Sequence, residues 1–155
     1  MGHIPTNPLE RRLRHPPHQS ALAYWADRCR SVGGTPGRRD IDPLDIPELL
    51  PWVNLVDVFR RANGLAFRHR LVGTAIVEMW NRDSTGLWFH ELYAPEKMAR
   101  VQPALEEAVL STRPRLVHDD LGEIGKPYWS FTSLVLPLAS DRRNVDMLML
   151  VSQYE

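Results

Sequence analysis

The sequence predicts an α+β domain in which a five-stranded antiparallel sheet carries helices on one face and an N-terminal helix packing on the other. Three observations lead there. Segments of helical and of strand periodicity follow one another in the order helix, two strands, helices, three strands. An Asn63-Gly64 pair separates two alternating runs, a strong local signal for a hairpin. The last two strands carry large apolar side chains on both faces, and such strands need cover on both sides.

Taken in order, residues 1–19 hold Pro5, Pro8, Pro16 and Pro17 with three histidines, which reads as a flexible arm with a helical turn near 9–13. The single domain is expected over 20–155. Ser20 is a plausible N-cap for a helix to about residue 31, whose Leu22, Trp25, Cys29 and Val32 fall near helical spacing. Residues 33–37 (GGTPG) end it. Asp42 and Pro47 then start short helical turns closed by Pro51. A strand over 53–60, a turn at 61–64 with Asn-Gly supplying positive φ, and a second strand over 65–73 form the hairpin. Thr74 caps a short helix to Trp80, and 81–93 is an irregular connector. Pro95 opens a longer helix with Met98, Val101, Leu105, Ala108 and Val109 on its stripe, which Pro103 should kink or divide. Strands are expected over 115–121, 128–138 and 145–154.

Composition limits the function. The 155 residues fit one domain, and 43% hydrophobic with 25% charged residues is ordinary for a globular chain. Lys+Arg and Asp+Glu both number 19, which gives no electrostatic case for nucleic acid. One cysteine excludes an intrachain disulfide and fits a reducing, cytoplasmic setting. No apolar run has the length of a membrane span, and the polar, proline-rich start is no signal peptide. There is no Gly-rich phosphate loop, nucleophile elbow or zinc-binding histidine pair. A small α+β enzyme of the cone type would begin with long helices, whereas here the hairpin precedes the main helix.

Four motifs carry a resemblance: Tyr24-Trp25 in the first helix, residues 42–51 (DPLDIPELLP), residues 65–74 (LAFRHRLVGT), and Thr85-Gly86. Together they resemble the stand-alone PAS domain family of alphaproteobacterial type, over roughly residues 21–155. The family pattern has tyrosine where His69 stands, a swap that keeps an aromatic body with a polar tip. The resemblance implies a PAS-like sheet and a sensory or regulatory domain that binds a small ligand, a protein partner, or both, without catalysis. Output would pass through another signalling protein, with no nucleic-acid or membrane partner. The alternative is a ligand-free dimerisation or adaptor module; a small enzyme ranks behind both.

The candidate residues follow from faces and from that resemblance. Phe67, His69 and Leu71 share one face of the second strand by alternation. Trp80, Trp88, Phe89 and His90 lie where PAS domains wall their cavity. The candidate pocket is therefore His69, Phe67, Leu71, Trp80, Trp88 and His90. For each, core packing or anchoring of a loose segment is the bland counterpart. Some PAS sensors hold haem through a histidine in this region, which would be His90; an exposed loop histidine is the competing reading, and the cofactor stays unknown. Cys29 lies before the first strand, so the photoreactive cysteine of flavin-binding light sensors has no counterpart. Leu22, Trp25, Trp129 and Phe131 are the candidate homodimer or partner interface, unless the first helix simply closes its own sheet. His118 and Asp120 share a strand face, but two ligands make no metal site.

Overall fold

The computed structural model describes residues 8–155. Its elements are α1 (Pro8–Arg12), α2 (Pro16–Val32), three 3-10 turns (Arg38–Asp40, Pro43–Asp45, Leu50–Trp52), β1 (Val53–Arg61), β2 (Gly64–Val72), α3 (Thr74–Trp80), α4 (Phe89–Leu92), α5 (Pro95–Ser111), β3 (Arg115–Leu121), a 3-10 turn at Gly122–Ile124, β4 (Lys126–Leu138) and β5 (Met147–Tyr154). The strands form one antiparallel sheet in the order β2-β1-β5-β4-β3.

The sheet separates two cores, as the two-faced apolar strands require. In front, Val56, Phe67, Val135, Leu148 and Leu150 pack with Phe89, Val101, Leu105 and Val109 of α4 and α5. Behind, Leu134, Leu136, Leu138, Met149 and Val151 pack with Ala21 and Leu22 of α2 and with Ile41, Ile46 and Leu49 of the proline-punctuated segment. Two side-chain bonds clamp α2 onto strand carbonyls. His18 Nε2 lies 2.8 Å from the Val151 carbonyl, and Trp25 Nε1 donates to the Pro137 carbonyl at 2.8 Å. The expected arm thus needs revision. Residues 1–7 lie outside the described residues, but Leu13 is buried and α2 begins four residues before Ser20. Pro16 and Pro17 take its first positions, where a missing N–H costs nothing and φ is already helical.

Three local expectations change for physical reasons. The hairpin loop is Ala62–Asn63, and only Gly64 takes positive φ (120°), because Gly64 already pairs with Arg61 at the ladder's end. α5 runs unbroken across Pro103, which sits on its exposed face; the carbonyl that the proline leaves unbonded, that of Ala99, also belongs to an exposed residue. A bulge between Leu55 and Val56 pairs Leu55 with Leu71 and Val56 with His69, so one β2 residue is skipped. From there the phase of β2 inverts.

Gly73 ends β2 where the chain passes under the Leu50–Trp52 turn. A Cβ there would lie 2.3 Å from the Pro51 carbonyl oxygen and 2.6 Å from that of Leu50, both backbone atoms that cannot step aside. Its φ of −63° is ordinary, so the demand is for space alone. Gly73→Ala is expected to lower unfolding stability by about 3 kcal/mol, the upper range for overpacking, read as a fall in the urea midpoint with an unchanged m-value.

Candidate functional site

Between the sheet and α3–α5 lies a cavity of about 60 Å³. At roughly 10–15 Å³ per water it holds about four, far less than the roughly 300–1,000 Å³ of a drug-sized pocket. Its walls are nevertheless rich in polar groups for the inside of a core: Asn54, His69, Ser133, Ser152, Lys97 and the Tyr93 and Tyr154 rings.

Each comes from an element that sets it there. Asn54 on β1 and His69 on β2 face forward beside the bulge, and Asn54 Oδ1 lies 3.1 Å from His69 Nδ1. Oδ1 only accepts, so Nδ1 carries the ring proton and Nε2 accepts from the Tyr93 hydroxyl at 2.9 Å. Phe89 lies against the imidazole, ring centroids 4.4 Å apart. Ser133 and Ser152 are cross-strand partners on β4 and β5, with hydroxyls 2.7 Å apart. Trp80 Nε1 donates to the Tyr154 hydroxyl at 2.9 Å.

Burial sets the protonation states. Desolvation lowers His69 to about 4, helped by the Arg82 charge and opposed by Asp83. It pushes Tyr93 far above its ordinary value and Tyr154 up to about 12. The centre of the site is therefore a neutral network at physiological pH.

Beside it stands a charged box. Lys97 on α5 places its ammonium 3.0 Å from Asp119 Oδ2 of β3 and 2.6 Å from Glu123 Oε1 of the following turn. The Trp80 and Phe131 ring centroids are 5.1 Å from Lys97 Nζ and that of Tyr93 5.6 Å. Burial alone would raise the Asp119 carboxyl, but hydrogen bonds from Arg100 and Lys97 outweigh it and hold it below its ordinary value.

Of the six candidate pocket residues, the structure brings His69 and Trp80 to the cavity. Phe67 is buried in the core under Phe89 and lines no part of the cavity. Leu71 departs from it: the bulge turns it to the back, 48% exposed, beside Ile46 and Leu50. Trp88 is half-buried on the outer side, tilted against Phe59 with ring centroids 4.9 Å apart and flanked by the Arg61 and Arg68 guanidinium groups, where it anchors the connector. His90 is exposed and stacks on Trp88, outside the cavity wall.

The candidate interface divides as well. Leu22 and Trp25 pack on their own sheet. Phe131 faces forward and lines the cavity, and only Trp129 stays open, 47% exposed. Cys29 is half-buried rather than enclosed. His118 bonds the Thr132 hydroxyl and Asp120 the Gly122 N–H, so the two do not pair with each other.

Sequence reading missed Asn54, Tyr93, Lys97, Asp119 and Tyr154. For Lys97 a signal existed. Residues 97, 101, 105 and 108 fall on one helical stripe, and a lysine on an otherwise apolar stripe marks a buried charge.

Residues 13–151 match the family model for the PAS domain. The chain belongs to the PAS domain family. A comparison with curated proteins returned no match. PAS domains are sensory and regulatory modules, generally without catalysis of their own, and the cavity lies between sheet and helices of this one. Among the described residues, no helix is long and apolar enough to cross a membrane.

Two buried histidines predict a loss of stability in acid. His18, like His69, is lowered from 6.5 to about 4, chiefly by burial. Their folded-state values lie below those of the unfolded chain, so the unfolded state takes up protons first. The histidine contribution is expected to be complete above about pH 6.5 and to decline toward pH 4, by at most about 3 kcal/mol for each histidine. Urea unfolding at pH 7 and pH 4.5 is expected to show this loss, and His69→Phe is expected to flatten the slope.

Proposed function

We propose that this PAS domain is a cytoplasmic sensor that holds a small molecule in the front cavity and signals by repacking, without catalysing a reaction. The observation that carries this reading is the cavity itself: a space of about 60 Å³, lined by both polar and apolar side chains, between the sheet and α3–α5. A core selected only for packing fills such a space with apolar side chains. The ligand has few heavy atoms, or it enlarges the cavity by moving a wall.

The output route runs through the sheet. Leu150 and Ser152 of β5 line the cavity, while the carbonyl of the residue between them, Val151, is bonded to His18 of α2. A ligand that shifts β5 therefore acts directly on the α2 clamp, to the extent that it binds the two packings unequally. The receiver is an unidentified signalling protein that reads the α2 side.

Native mass spectrometry tests the ligand. The expected result is a small molecule lost on denaturation and held about tenfold less well by Ser152→Leu, which fills the cavity floor. Equal retention in that variant overturns the cavity as the site.

A second reading, an interaction module acting as a homodimer, draws on Tyr128 and Trp129, 98% and 47% exposed at the start of β4. It predicts a concentration-dependent dimer in sedimentation that Trp129→Ala dissociates; a monomer at every concentration rules the homodimer out.

A further inference from the structure

Lys97 stands in the first turn of α5, where the helix dipole disfavours a cation, and its side chain is only 5% exposed. Removing an ammonium from water costs several kcal/mol unless its partners replace that hydration. Here they do: two carboxylates, from Asp119 and Glu123, and three aromatic rings, from Trp80, Tyr93 and Phe131, surround one Nζ. Aromatic rings and carboxylates disposed around a cation are the chemistry that recognises alkylammonium ligands. The occupant of this box is an alkylammonium tethered to its own chain.

Three members of the box, Asp119, Tyr93 and Trp80, have side-chain partners other than Lys97. Arg100 reaches Asp119 from the outer side, with Nε 2.9 Å from Oδ1 and Nη2 3.2 Å from Oδ2. Tyr93 is held by His69, and Trp80 by Tyr154. The same three rings and Lys97 also line the cavity, so box and cavity share these walls. Lys97 follows the exposed residues Ala94, Pro95 and Glu96, and this end of α5 borders water.

We propose that the box is a binding site for a small organic ammonium, primary or methylated, and that Lys97 is its built-in occupant, displaced when the ligand enters. This rests on the cavity being the sensory pocket and gives its ligand a chemical class. The charge balance selects the sign. Without Lys97, Asp119 and Glu123 leave two negative charges against the single positive charge of Arg100, which repels an anion. The exposed Arg82, 5.7 Å from the Trp80 ring centroid, adds a solvent-screened positive charge at the mouth. Displacement would free the Lys97 side chain in the N-terminal turn of α5 from Asp119 and Glu123, coupling occupancy to that turn.

The test compares the full chain with Lys97→Ala by thermal unfolding and tryptophan fluorescence, using n-butylammonium and tetramethylammonium chloride against potassium chloride at matched ionic strength. Lys97→Ala is expected to bind an ammonium at least about tenfold more tightly than the unsubstituted chain. The response should vanish in Lys97→Ala/Trp80→Leu. If Lys97→Ala does not fold alone, refolding by n-butylammonium but not by potassium supports the site, and failure of rescue overturns it. A response in Lys97→Ala no greater than that to potassium, or one that survives Trp80→Leu, also overturns it. The two readings fail separately: a non-cationic molecule retained by the unsubstituted chain and lost in Ser152→Leu leaves the sensor standing and removes the ammonium assignment, whereas equal retention in Ser152→Leu removes the cavity as the sensory site.

Discussion

The structure depends on a central pair of strands that is apolar on both faces. β4 and β5 alternate Val135, Leu148 and Leu150 toward one side with Leu134, Leu136, Met149 and Val151 toward the other. Such strands are unstable until both faces are covered. The front takes α4 and α5, and the back takes α2 and the segment of 3-10 turns. The front cavity and the back helix share this double-sided sheet, because the strands that line the one hold the other.

That sharing explains why polar groups collect where they do. Asn54, Ser133 and Ser152 project forward from three neighbouring strands, and His69 joins them from β2. Each is satisfied by another polar group, since an unpaired buried donor or acceptor costs roughly 1–3 kcal/mol. His69 is neutral and takes both ring bonds from neutral partners, whereas Lys97 is charged and takes its bonds from charged ones. A neutral network and an ionic box thus stand side by side, separated by the Tyr93 and Trp80 rings. The neutral half is held by hydrogen bonds between uncharged groups, and the ionic half by ion pairs and ring contacts.

The fold was legible in the sequence because it rests on local patterns. The hairpin, the stripe of α5 and the last three strands follow from turn residues and periodicity, and the motifs at 42–51 and 65–74 pointed to the family that the match over 13–151 establishes. The site was legible only in part. His69 stood out as a polar residue on an apolar face, and Trp80 by its place at the end of α3. Alternation puts Leu71 beside Phe67 and His69 because it assumes an uninterrupted ladder, and a bulge is set by pairing with the next strand. Leu22, Trp25 and Phe131 could face a partner or their own sheet as far as the pattern goes, because a sequence shows that a face is apolar without showing what covers it.

By itself, the sequence determined the order of elements, the antiparallel sheet, the need to cover both its faces and the neutral overall charge, since these depend on each residue and its near neighbours. Tertiary structure alone decided which helix covers which face, where the phase of β2 inverts, and that Lys97, Asp119 and Glu123 meet among Trp80, Tyr93 and Phe131. Those outcomes arise from contacts between segments distant in the chain, whose geometry is set when the whole sheet closes on its helices.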